Sequence, residues 1–204
     1  MRQNDATEAF LKSLPELKNG QTFRFGCGPG VSCFNACCGD LNLSLTPYDV
    51  LRLRRALAMN SADLVHGFTQ VSTERVTGFP FVHLRMLDNA KRSCPFVRPE
   101  GCSVYQDRPG ACRTYPLGRA SKAGPFGSLE ERFFIVREAH CRGFEQGREW
   151  TSGTWLKDQG LKEYSESNDR FIKLVSRWKT KKRPLDAKQA VSYTHLTLPT
   201  KRIV

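Results

Sequence analysis

Eight cysteines are the residues of this chain whose type and spacing suit chemistry: Cys27, Cys33, Cys37 and Cys38 in one segment, Cys94, Cys102 and Cys112 in a second, and Cys141 in a third. The central stretch, Cys94 to Pro116, reads CPFVRPEGCSVYQDRPGACRTYP. Each of its cysteines stands beside a turn former: Pro95, Gly101, or the pair Pro109 and Gly110. Such residues fix φ or permit φ > 0 and hold a loop open, so the stretch reads as a ligand loop and not as core. The first cluster, CGPGVSCFNACCGD, has the same texture, and the third lies in HCRGFEQG. At 204 residues the chain is long enough to bury a core without covalent staples. Its start, MRQNDATEAF, is polar and lacks an apolar signal region, and no run approaches membrane-spanning length. A reducing, cytoplasmic setting with no membrane partner is therefore expected. There, clustered thiols are metal ligands or redox groups more often than disulfides.

A zinc thiolate site takes four sulfurs at about 2.3 Å from the ion, so eight thiols suit two sites. The adjacent pair Cys37 and Cys38 complicates this, because neighbouring residues rarely aim both side chains at one small ion without strain. Either one member serves each of two sites, or one ligates while the other is buried. An Fe–S cluster relaxes the constraint, since its irons are spread out. The spacings match neither a zinc finger nor a ferredoxin run, so zinc, iron and a 4Fe-4S cluster all stay open as cofactors. Around the thiols, Arg108 and Arg113 flank the Pro109 turn and either offset the negative charge of the site or pair with Asp107 or Glu100. Tyr105 and Tyr115 either pack or donate hydrogen bonds to sulfur, and His140 is an alternative to one cysteine as ligand. No phosphate-binding glycine loop, nucleophile elbow or HExxH is present, and no catalytic acid, base or nucleophile can be named.

The formal charge of +12 invites a nucleic-acid reading. Metal-bound cysteine is thiolate, however, and eight thiolates around two divalent ions lower the charge of residues 1–190 from about +10 to about +6. Much of the remaining excess lies in Arg177, Lys179, Lys181, Lys182, Arg183 and Lys188. Such a run is a solvated end or a contact for RNA or an acidic partner.

The elements that must position the thiols follow from patterning. Residues 4–14 suit a short helix ended by Pro15, and Gln21 to Phe25 a brief strand feeding the first cysteine loop. Leu41 to Leu45 alternates as a half-buried strand. Thr46, Pro47 and Asp49 form a strong helix start, predicting a helix to Met59 with Val50, Leu51, Leu53, Leu57 and Ala58 on its apolar face. Arg52, Arg54 and Arg55 are its solvated side. Ser61 then caps a helix from Ala62 to about Gln70 that carries His66 as a packing residue. Phe79 to Leu87 reads as a strand leading into Cys94, with Val82, Leu84 and Met86 on one face and Phe81, His83 and Arg85 on the other. Arg132 to Val136 is a buried strand delivering His140 and Cys141. Trp150 to Lys182 is the longest helical candidate, with Gly160 as a break. The cysteines thus fall at the ends of elements, where backbone N–H groups can bond thiolate sulfur. The fold class expected is α+β: a small cysteine-rich metal-binding domain of short strands and loops flanked by helices, plus a C-terminal helix. Its parts are an N-terminal helix (1–20), the cysteine domain (21–148), the C-terminal helix packed on it (149–183), a basic linker (184–190) and a non-native tail (191–204). That tail resembles a translated sequencing adapter over Val191 to Thr200, which would make the native chain continue past Ala190 and leave His195 without functional weight.

The order C-x5-C-x3-CC, then CPF with GCxVYxxRPxxCRxYP, then CxGxxxG resembles the bacterial cysteine-cluster family of the CxxCxxCC type, zinc- or iron-chelating domains. The likeness covers about residues 21–148. Its specific part is Cys94, Pro95, Phe96, Gly101, Cys102, Tyr105, Arg108, Pro109, Cys112, Arg113, Tyr115 and Pro116 in order. Cys33, Cys37 and Cys38 match the N-terminal cluster, and Cys141, Gly143 and Gly147 the closing element; the wide gap from Cys27 to Cys33 departs from the pattern. The resemblance implies metal binding through the cysteines. One branch is similar to flagellin lysine N-methylases, which would imply an Fe–S cluster and methyl transfer to protein lysine. Three readings follow: a metal-binding protein whose ion completes the fold, an Fe–S-dependent redox or methyl-transfer enzyme, and a zinc-scaffolded module that binds RNA or a protein partner.

Overall fold

The structure is a computed structural model, and it describes residues 9, 11–73, 79–123 and 128–180. Most of the expected 4–14 helix, the residues from Lys181 on and the adapter-like tail lie outside the described residues. The chain is α+β. In order it forms β1 (Glu16–Leu17), β2 (Thr22–Phe25), β3 (Ser44–Leu45), α1 (Pro47–Ala56), α2 (Ser61–Phe68), β4 (Thr69–Thr73) and β5 (Pro80–Leu84). There follow β6 (Val97–Arg98), β7 (Gly101–Cys102), α3 (Gly110–Thr114), β8 (Leu117–Ala123) and β9 (Leu129–Ile135). β10 (Arg148–Thr151), α4 (Ser152–Asp158) and α5 (Lys162–Thr180) complete the described elements. The described residues divide into two compact units, those up to Cys37 with those of 110–163, and those of 38–109 with those of 164–180.

In the first unit the antiparallel sheet β1-β9-β8 and the ribbon β2-β10 frame an aromatic core. The apolar run expected over Arg132 to Val136 is strand as far as Ile135, as part of a seven-residue β9 between two antiparallel neighbours. Its hairpin partner β8 went unseen in the sequence, because LGRASKA carries small and polar residues; its register, Leu117 opposite Ile135, comes from β9. At the edge, Arg132 binds the Glu16 carboxylate at 2.6 Å and holds that carboxyl below its usual range. Trp150, expected in a helix, sits opposite Phe23 in β10, and its indole N–H donates to the Phe25 carbonyl at 2.9 Å. The helix starts two residues later, where Thr151 caps it through the Thr154 amide and Thr154 reciprocates. A break does fall at Gly160, whose φ is +61°. Phe25 is 2 % exposed and meets Tyr115, Phe144 and Trp155 edge-on at 5.2 to 5.9 Å. Truncating such a ring to alanine typically costs about 3–5 kcal/mol.

In the second unit the sheet β3-β5-β4 packs with α1 and α2 around Leu43, Leu45, Val50, Leu53, Leu64, Val82, Leu84, Phe96 and Val104. Thr46 and Asp49 form the expected capping box, although α1 ends at Ala56 and not at Met59. Asn60, not Ser61, caps α2 by accepting from the Asp63 amide at 2.9 Å. The residues after Phe68 leave the helix for β4, where Thr69, Val71 and Thr73 pair with β5; β-branched side chains suit that pleated surface better. β5 buries Val82 and Leu84 while Phe81 and His83 face the other way, as its alternation predicts. Arg52 is not a solvated residue of α1. Its Nε binds Asp107 at 2.6 Å, and its guanidinium lies against the rings of Tyr48 and Tyr164.

Candidate metal centre

Four cysteines from two distant segments line one pocket in the first unit: Cys27, Cys33 and Cys37 with Cys141, beside Phe25, Tyr115, His140 and Gly143. Local backbone explains the convergence. β2 runs directly into Gly26 and Cys27, and the Gly26 amide donates to the Gly143 carbonyl at 3.0 Å, which pins the first cysteine loop to the segment after Cys141. That crossing is possible only without side chains: a Cβ on Gly143 would come within 2.5 Å of the Phe25 ring and 2.9 Å of the Gly26 carbonyl. A Cβ on Gly147, whose φ is +91°, would run into the Phe25 carbonyl. The glycines of the CxGxxxG segment therefore let the chain after Cys141 cross closely over Phe25 and Gly26. Cys33 and Cys37 come from successive turns, with the Ala36 amide donating to the Cys33 carbonyl at 2.9 Å.

The pocket leaves about 30 Å³ for the centres of water-sized groups. About 10–15 Å³ holds one water, so the pocket has room for a small group. Among the described residues no group of three or more His, Cys, Asp or Glu side chains is gathered as tightly as a bound ion requires. Nothing draws thiols together on their own, and thiolates repel; in a zinc thiolate site it is the bound ion that draws the sulfurs to about 2.3 Å. All eight cysteines are thiols and not disulfides. The donor set fits a zinc or iron ion in chemistry, with four soft sulfurs and an imidazole at the rim.

Hydrogen-bond donors already face this sulfur set. The Arg142 backbone N–H donates to Cys33 Sγ at 3.1 Å. Tyr115 buries its hydroxyl in the same pocket as Cys141. Burial pushes its phenol well above the usual range, and its hydrogen bond and charge contact with the Cys141 side chain raise it further. Tyr105, by contrast, is exposed, with the Arg108 guanidinium 3.8 Å over its ring.

The other predicted ligands lie elsewhere. The unit boundary falls between Cys37 and Cys38. In the second unit the Cys94 amide donates to the Cys38 carbonyl at 2.7 Å, and Cys102 pairs with Val97 across the β6-β7 ribbon. Cys94 and Cys102 are half-buried against the aliphatic core. Cys112 is exposed on α3 in the first unit. Arg108 and Arg113 are both buried; Arg108 donates to the Tyr105 carbonyl and Arg113 to the Gln159 carbonyl, each at 2.6 Å. Two wall residues, Phe25 and Gly143, were not read as part of a site. The glycine pattern after Cys141 was the available signal for the second.

Short antiparallel sheets, flanking helices and a pocket walled by thiols define a small α+β cysteine-cluster domain. The sequence profile of the CxxCxxCC family, described as a "putative zinc- or iron-chelating domain", matches residues 27–142. The chain belongs to that family. The match starts at Cys27, so the wide gap before Cys33 does not exclude this cysteine from the family segment. No curated protein matches the chain, and neither does any solved structure. Among the described residues, no helix is long and apolar enough to cross a membrane.

Proposed function

We propose that the chain is a metal-binding protein whose first unit holds one zinc or iron ion through Cys27, Cys33, Cys37 and Cys141. The observation that carries this reading is the sharing of one pocket by thiols more than a hundred positions apart in sequence. Once bound, the ion supplies bonds that tie the first cysteine loop to the segment after β9, so its binding energy is also folding energy. Cys38, Cys94, Cys102 and Cys112 remain candidate ligands on sequence grounds.

The test is zinc and iron content per chain, on protein purified without oxygen, with a thiol-alkylation map by mass spectrometry before and after chelation. Cys27, Cys33, Cys37 and Cys141 should be protected together and become reactive together when the ion is removed. Unchanged alkylation of these four across metal loading would sink the assignment. Iron near four per chain with matching sulfide would replace the single ion by a cluster.

A further inference from the structure

The edge of a sheet carries a row of backbone donors and acceptors that another strand can pair, and β4 is such an edge. Among the described residues it has a strand neighbour on one side alone, β5 in the order β3-β5-β4. Along an antiparallel strand the N–H and C=O of one residue point to the same side, and the side alternates from residue to residue. The Arg85 amide donates to the Phe68 carbonyl at 2.8 Å, so Phe68, Gln70 and Ser72 turn their backbone groups toward β5. Thr69, Val71 and Thr73 turn theirs to the open side. Pro80, which has no N–H to give, stands opposite Thr73, where this alternation asks for none. The Thr69 amide is already taken by the Val65 carbonyl of α2, which leaves the outward groups of Val71 and Thr73 and the Thr69 carbonyl. The devices that usually blunt an edge are missing. TQVST holds no charge and no proline, and it pairs with β5 residue for residue, without a bulge. Gln70 to Thr73 are exposed, and Val71 is 57 % exposed although Val82 opposite it is buried.

We infer that β4 is a dimerisation edge, along which a second copy of this chain pairs antiparallel about a two-fold axis at Val71. In that register Val71 stands opposite Val71, Gln70 opposite Ser72, and Thr69 opposite Thr73. Val71 exchanges both backbone bonds with its counterpart, and each Thr73 amide donates to the opposing Thr69 carbonyl, so the occupied Thr69 amide is not called upon. The two valines meet on the face that carries Val82 and Leu84 and extend that apolar layer across the seam. Charge selects the occupant. An acidic partner, which a net charge of +12 would attract, finds no cation on this strand, whereas two copies of a neutral strand set no like charges against each other. Five residues a side are few beside the roughly 20–30 of a stable interface, so the dimer is weak and grows with concentration. The pairing is independent of the metal reading, because β4 holds no cysteine.

The experiment is sedimentation velocity of the full chain, with chelator and reductant present so that neither a metal ion nor a disulfide joins two copies. The parent should be a monomer at about 10 µM and form dimer increasingly toward about 1 mM. Raising salt from about 50 mM to about 500 mM should favour the dimer, because screening relieves the repulsion between two basic chains. Over the same concentrations, amide hydrogen exchange at Val71 and Thr73 should slow by roughly tenfold. Val71→Lys and Val71→Glu should each stay monomeric, and their equimolar mixture should dimerise again, since opposite charges then meet across the seam. A parent that is monomeric throughout would overturn the inference. A dimer retained by both variants would place the contact on another surface, and a mixture that stays monomeric would reject the register at Val71. Should either variant fail to fold, the parent's exchange decides alone: Val71 and Thr73 amides indifferent to concentration would overturn the pairing.

Discussion

His140 lines the pocket of the four cysteines, yet it is exposed, and four sulfurs already complete a tetrahedral set. In the proposed four-sulfur site its imidazole is a rim group. His140→Ala should keep the parent's metal stoichiometry and bind zinc within about threefold, since only outer contacts change. Loss of one equivalent of metal, or a cobalt spectrum shifted toward more sulfur-rich coordination, would show that the imidazole had been a ligand. The cysteines themselves were legible because turn formers surround them. What could not be read at this scale was which thiols share a site. Cys27 and Cys141 are 114 positions apart, and their meeting depends on a backbone crossing that no local pattern announces. Arg52 was misread for the same reason. Its spacing in α1 fits a solvated face, while its partners Asp107 and Tyr164 arrive from distant sequence.

At the scale of elements, glycines separate loops that merely turn from loops that must touch. Gly28 and Gly30 sit in the first cysteine loop with nothing within 4 Å of an added Cβ. Gly147 combines a positive φ with a backbone clash at Phe25 and Gly26. Gly147→Ala should destabilise by about 2–4 kcal/mol, from overpacking plus left-handed strain, whereas Gly28→Ala and Gly30→Ala should stay within about 0.5 kcal/mol. Urea unfolding of the three metal-free variants reads this directly. Equal midpoints would mean that the crossing after β2 does not hold the Cys141 segment. The elements whose own side chains decide their conformation were visible in advance: the Thr46 capping box, the β5 alternation and the break at Gly160. Those decided by a partner were not. β8 follows the register of β9, β10 follows β2 and so takes Trp150 out of the expected helix, and β4 forms because β5 is beside it.

For the whole molecule, metal binding should make stability depend on pH in two separate windows. Protons compete with the ion for every ligand thiol, and a free thiol titrates near pH 8.5, so the affinity falls steeply as pH drops below neutrality. Stability conferred by the ion is thus present at and above neutral pH and lost toward pH 5. The chain without metal has a different acid limb. Glu16 is held below the usual carboxylate range by its hydrogen bond and charge contact with Arg132, so this contribution is present above the ordinary glutamate pKa and lost only as pH falls through the lowered one. Melting temperatures measured from pH 8 to about pH 2.5, with saturating zinc and with chelator, should therefore form two curves that are far apart at pH 8 and converge by about pH 5, still above the window in which Glu16 titrates. Glu16→Gln should flatten the acid limb of the metal-free curve and leave the gap at pH 8 untouched. Curves separated by a constant interval down to pH 4 would rule out thiolate ligands as the source of the stabilisation, and curves that coincide at pH 8 would show that the ion does not contribute to folding.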